Sequence, residues 1–173
     1  PGKIMGAVRN YVDRMKIRGI STKKIEALYR AGYLKSILDL YKLDENISEL
    51  ITIPSFGETS VAGIVDAVNA CRVVQGSRFM SAIGIENVGE TTFSKILKKY
   101  TVNDLLDKCD DETSFKEDMI KIDGVGSTTT EAIVHGIIER KKLIKKLLKY
   151  ILPVEENRNE FLVCFTKLPD PVI

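Results

Sequence analysis

The sequence predicts an all-α fold, and three observations predict it. Strand-like runs are scarce, and Leu, Ile, Lys and Glu recur at helical spacing. Aromatic residues make up 7% of the 173 residues and Trp is absent, which fits small helical hairpins better than a sandwich or barrel. The third observation is a short phrase of turn formers that recurs four times, each time at the start of a helical pattern.

The phrase reads Ile17-Arg18-Gly19-Ile20-Ser21, then Ile53-Pro54-Ser55-Phe56-Gly57, then Ile85-Glu86-Asn87-Val88-Gly89, then Ile122-Asp123-Gly124-Val125-Gly126. Each copy has an apolar anchor, a turn residue, a second apolar residue and a second small residue. Their last positions lie 36, 32 and 37 residues apart, a spacing suited to a pair of helices and a connector. Apolar residues then follow at helical intervals: Ile25, Leu28 and Tyr29; Val61, Ile64, Val65 and Val68; Phe93, Ile96 and Leu97; Ile133, Val134 and Ile137. Hydroxyls at Thr22, Thr59, Thr91 and Ser127 are placed to satisfy unpaired amides at the helix starts. A lead-in helix is expected over Lys3 to Met15, and a basic helix from Arg140 to Tyr150.

The chemistry of the phrase points to an anion. Gly, Asn and Ser tolerate sharp turns, so two of them around one apolar residue allow a tight hairpin with that residue buried as a plug. Neighbouring backbone amides, together with the positive end of the next helix, then form a concavity suited to a phosphate. One such turn is weak evidence, because many helix junctions have the same form for steric reasons. Four in register point to a shared task.

Charge is segregated rather than large. The net charge is +2, yet residues 1–43 hold ten Lys or Arg against three Asp or Glu, and residues 101–135 hold three against nine. No apolar stretch approaches the ~18 residues of a spanning helix, and Pro1-Gly2-Lys3-Ile4 lacks signal-peptide organisation, so a cytoplasmic or nucleoid-associated location without a membrane partner is expected. Cys71, Cys109 and Cys164 form no paired metal half-site, and His135 stands alone beside Ile133, Val134 and Ile137, so neither is expected to ligate a metal.

The phrase resembles the helix-hairpin-helix motif, and its fourfold array resembles that of bacterial-type NAD-dependent DNA ligases. Ala82 to Thr92 is similar to that family's third hairpin, and Leu40-Tyr41-Lys42-Leu43 with Ile53 to Ser60 is similar to its connector and second hairpin. Pro1-Gly2-Lys3-Ile4 resembles the segment immediately after the last cysteine of the family's small zinc module. Phe161 to Thr166 looks like the first strand of its terminal BRCT domain. Ser21 and Ser55 depart from the family's usual glycines; the fourth hairpin, Gly124-Val125-Gly126, is complete.

The resemblance implies four tandem helix-hairpin-helix motifs in two double-hairpin units: residues 1–16 a lead-in helix, 17–75 motifs one and two, 76–150 motifs three and four, and 151–173 a linker and short extended stub. It implies sequence-independent binding of duplex, nicked DNA through backbone phosphates. The expected contacts are Arg18, Gly19, Ile20, Ser21, Lys23 and Lys24; Ser55, Phe56, Gly57 and Glu58; Asn87, Val88, Gly89, Glu90 and Lys95; and Gly124, Val125, Gly126 and Ser127. No cofactor is expected on this chain. NAD and a divalent metal belong to the complete ligase, zinc to its upstream module, and the adenylation and OB-fold portion is the expected protein partner, in cis or as a separate subunit.

Three rival readings are open to the sequence. Lys121-Ile122-Asp123-Gly124 spells K-x-D-G, the adenylated motif of nucleotide-dependent ligases, but that lysine needs a mostly β nucleotide pocket and here it falls on the fourth hairpin. Base-excision glycosylases carry one such hairpin with a base pocket, not four, and no Trp is available here to stack a base. A protein-interaction scaffold built on the same repeat leaves the bracketing of each plug by turn formers unexplained.

Overall fold

A computed structural model describes residues 2–154. The stub expected over Phe161 to Thr166, and Cys164 within it, lie outside the described residues. The elements are α1 (Gly2–Met15), α2 (Thr22–Arg30), a 3-10 segment (Ile37–Asn46), α3 (Ile47–Leu50), α4 (Glu58–Ala70), β1 (Val73–Gln75), α5 (Gly76–Ala82), α6 (Glu90–Leu97), α7 (Val102–Lys108), α8 (Glu112–Ile120), α9 (Ser127–Glu139), α10 (Lys141–Leu147) and β2 (Leu152–Val154). The fold is all-α, as the sequence predicts. Helix pairs α1/α2, α3/α4, α5/α6 and α8/α9 are the four hairpins.

Helix faces follow the apolar spacing. In α1, Val8, Tyr11, Val12 and Met15 fall on one side and are buried, and the same holds for Val61, Ile64 and Val68 of α4 and for Ile133, Val134 and Ile137 of α9. Helix ends are set by local chemistry too. Lys16 (φ 60°) stops α1 in the left-handed region while the Ile17 amide reaches back to Val12 O at 3.0 Å, and Gly32 (φ 87°) does the same for α2 with Tyr33 N to Leu28 O at 2.9 Å.

One apolar core runs from Val8 to Ile151 through both halves of the repeat. Two close approaches tie the fold together. Gly136 on α9 sits against Ile85 of the third hairpin, where an added Cβ would come within 2.6 Å of Ile85 Cγ2. Near the other end, Tyr11 and Tyr41 join hydroxyls at 2.5 Å, Tyr150 stacks on Tyr41 with centroids 5.3 Å apart, and Arg72 lies over both of the latter rings while donating to Tyr150 O at 3.2 Å.

Three features depart from the sequence pattern. The connector to the second hairpin is a ten-residue 3-10 segment that buries Ile37, Leu40, Tyr41 and Leu43. β1 and β2 form a two-stranded parallel sheet, with Val73 opposite Leu152 and Gln75 opposite Val154. His135 is exposed on α9 although its neighbours Ile133, Val134 and Ile137 are buried.

The tyrosine cluster has a pH signature. Burial raises the Tyr41 hydroxyl to about 12 and pushes Tyr11 up further, against an ordinary value of 10.0. Between pH 10 and 12 the unfolded chain therefore releases protons that the folded chain keeps, so stability is full below pH 10 and is lost as pH rises through that window. Thermal unfolding should show the midpoint falling over this range, and falling less in Tyr41→Phe.

Candidate nucleic-acid interface

All four turns have the same backbone. The third residue of each phrase lies in the left-handed region: Gly19 at φ 89°, Ser55 at 70°, Asn87 at 65° and Gly124 at 87°. The next residue then turns inward, and Ile20, Phe56, Val88 and Val125 are buried, none more than 8% exposed. The fifth residue is extended and serves as N-cap of the second helix: Ser21 (φ −82°), Gly57 (−112°), Gly89 (−106°) and Gly126 (−91°).

This geometry corrects two expectations. Only the first small residue of each phrase needs positive φ; the second has ordinary extended backbone. The plugs also cannot use their amides on a ligand in three hairpins, because Phe56 N donates to Ile53 O (2.9 Å), Val88 N to Ile85 O (3.3 Å) and Val125 N to Ile122 O (3.0 Å). Their part is to hold the turn.

The amides left over lie at the helix starts. No side chain caps α4, α6 or α9, and the first three amides of each find no acceptor among the described residues. Thr59, Thr91 and Ser127 do not cap, contrary to expectation, because they lie inside the helices rather than at the cap position. The first hairpin differs: Ser21 Oγ accepts from the Lys24 amide at 3.3 Å, so the departure from glycine closes part of that cradle. α7 and α8, which do not follow a hairpin phrase, are capped by Thr101 and Asp111. α3, α5 and α10 also lack a side-chain cap, so what sets hairpins two to four apart is an uncapped start placed directly after a buried plug and an extended glycine. Gly57, Gly89 and Gly126 are exposed, and a Cβ at any of them would meet nothing within 4 Å, so packing within the chain does not demand glycine there.

The expected cations are placed unequally. Arg18 and Lys23 are exposed on the first hairpin and its helix, whereas Lys24 is half-buried. Lys95 of α6 reaches the fourth hairpin: a Cβ at Gly124 would lie 2.6 Å from its Nζ. Glu58 and Glu90 occupy the first positions of α4 and α6, where their carboxylates are exposed and their amides are open. Sequence reasoning missed Asn10 and Arg140, which donate to Ala82 O (3.3 Å) and Gly84 O (3.5 Å) and hold the chain entering the third hairpin. Nothing in their local pattern marked them, since their partners lie 72 and 56 residues away.

Lys121 is exposed at the C-terminal end of α8, and Asp123 and Gly124 form the fourth turn. The site does not fit an adenylated lysine. Among the described residues no group of three or more His, Cys, Asp or Glu is placed to hold a metal. No described helix is long and apolar enough to cross a membrane.

The family model of the SAM-like helix-hairpin-helix tandem matches residues 14–70. Relatives named DNA ligase include one from Acinetobacter baylyi, 34% identical over 129 residues (73% of this chain, 18% of the relative), and one from Nitratiruptor, 26% identical over 162 residues (92% and 23%). This is a helix-hairpin-helix region similar to that of DNA ligases. A DNA ligase of Spiroplasma citri is 35% identical over 108 residues, covering 61% of the chain and 16% of the relative. The DNA-ligase-like region spans less than a quarter of these relatives' length.

The left-handed positions of the DNA-ligase-like hairpins yield a stability test. A non-glycine residue in the left-handed region costs roughly 1 kcal/mol, so Ser55→Gly should raise stability by about that amount in denaturant unfolding. Ser21→Ala, which removes the cap hydroxyl, should lower it by about 0.5–2 kcal/mol.

Proposed function

We propose that this chain binds duplex DNA without sequence preference, through backbone phosphates, as the DNA-clamping part or subunit of a NAD-dependent DNA ligase acting in replication and repair. The observation that carries the reading is the coincidence, in hairpins two to four, of an uncapped helix start, an exposed extended glycine and a buried plug. An amide row with no acceptor of its own and no side chain over it suits an incoming phosphate oxygen. The turns offer rows of backbone amides, which fits positioning on phosphates rather than recognition of sequence.

Sealing belongs to the rest of such a ligase. An adenylation and OB-fold portion, linked in cis or as a separate subunit, supplies NAD chemistry and a divalent metal, and an upstream module supplies zinc. This chain's residues hold the nicked duplex while that portion works. An exposed Lys121 on a turn contributes no nucleophile.

Three measurements check the reading. Nicked and intact duplexes of unrelated sequence should bind with similar affinity and weaken steeply as salt rises, because neutralised phosphates release counterions. Affinity that ignores salt, or that depends on one sequence, would favour a protein-interaction scaffold or a sequence reader. Because the second glycines have ordinary φ, Gly89→Val and Gly126→Val should stay folded by circular dichroism while losing about 1–3 kcal/mol of binding per blocked site. Incubation with NAD or ATP should leave the intact mass unchanged; an added AMP that vanishes in Lys121→Ala would reinstate the catalytic reading of K-x-D-G.

A further inference from the structure

The third hairpin lines a groove of about 590 Å³ together with Gly6, Ala7, Asn10 and Arg14 of α1 and with Arg140. Asn87 and Gly89 line the same space. Asn10 and Arg140 are spent on the carbonyls of Ala82 and Gly84, and Arg140 also pairs with Glu139 at 3.0 Å. Arg14 is different. It is exposed and makes no ion pair among the described residues, so its guanidinium is the free cation of the groove.

Gly6 gives a second, independent sign. It lies inside α1, where glycine costs about 1 kcal/mol relative to alanine, and a Cβ there would meet nothing within 4 Å. Neither strain nor packing within the chain accounts for a glycine at this point. A side chain at position 6 would instead occupy the groove.

We propose that this groove is a second phosphate subsite, in which Arg14 takes a backbone phosphodiester of the DNA strand held at the open amides of the third hairpin. The inference rests on the DNA-binding reading above and extends it from the hairpins to the lead-in helix. Guanidinium geometry suits a phosphate through two parallel N–H donors. Glu86 also lines the groove, and its carboxylate opposes the strand, so the subsite works against one built-in negative charge.

The test uses the full chain and a fluorescent duplex at fixed salt, with folding followed by thermal unfolding. Gly6→Leu should keep or raise the unfolding midpoint, because leucine favours helix over glycine, yet weaken DNA binding. Arg14→Ala should weaken it about two- to tenfold and flatten the salt slope by about one unit. Glu86→Gln should tighten it. Lys98→Ala, which removes the same charge at the far end of α6, should leave a smaller effect than Arg14→Ala. If Gly6→Leu and Arg14→Ala bind like the parent while Gly89→Val is impaired, the groove holds no phosphate and the inference fails with the hairpin reading intact. If the parent does not bind duplex at all, the hairpin reading itself fails. If dTMP binds the parent in a manner lost in Gly6→Leu while duplex affinity is unchanged, the groove is a nucleotide pocket and the proposal is overturned.

Discussion

Each hairpin depends on one backbone constraint, a left-handed residue followed at once by a buried apolar plug. Positive φ at Gly19, Ser55, Asn87 and Gly124 reverses the chain direction within one residue. The reversal aims Ile20, Phe56, Val88 and Val125 into the core, and burial of those side chains holds the turn in place. With the turn fixed, the fifth residue is extended and the next helix starts with its amides facing away from the core. The polar cradle is therefore a by-product of apolar burial.

Capping separates α7 and α8 from the helices that open after hairpins two to four. α7 and α8 satisfy their first turns with Thr101 and Asp111, at a gain of the order of 1 kcal/mol each. α4, α6 and α9 forgo it. Hairpin one takes an intermediate course: Ser21 spends its hydroxyl on the Lys24 amide, and the exposed cations Arg18 and Lys23 stand beside the turn. Lys95, supplied by α6, stands over the fourth turn, whose own helix begins with Ser127-Thr128-Thr129-Thr130 and brings no cation.

Separate cradles act together only if their spacing is fixed, and packing fixes it here. Gly136 lets α9 approach Ile85, so hairpins three and four share an apolar boundary. Arg72, Tyr41 and Tyr150 tie the end of α4, the 3-10 segment and the chain after α10, and β2 pairing with β1 closes the same region. Asn10 and Arg140 fasten the approach to the third hairpin from opposite ends of the chain.

The sequence by itself determined the all-α class, the four turns, their plugs and the apolar face of each helix, because all of these are written in residues within about one helical turn of each other. Periodicity exposes a face, and a glycine or asparagine beside an apolar residue exposes a turn. Only the tertiary structure decided which amides remain open, that the second glycines have ordinary φ, and that Phe56, Val88 and Val125 keep their amides inside the turn. It also decided the β1–β2 pairing, the reach of Lys95 to Gly124 and the groove between α1 and the third hairpin. Those features join residues tens of positions apart, and a local pattern carries no record of which distant surface packing will bring alongside.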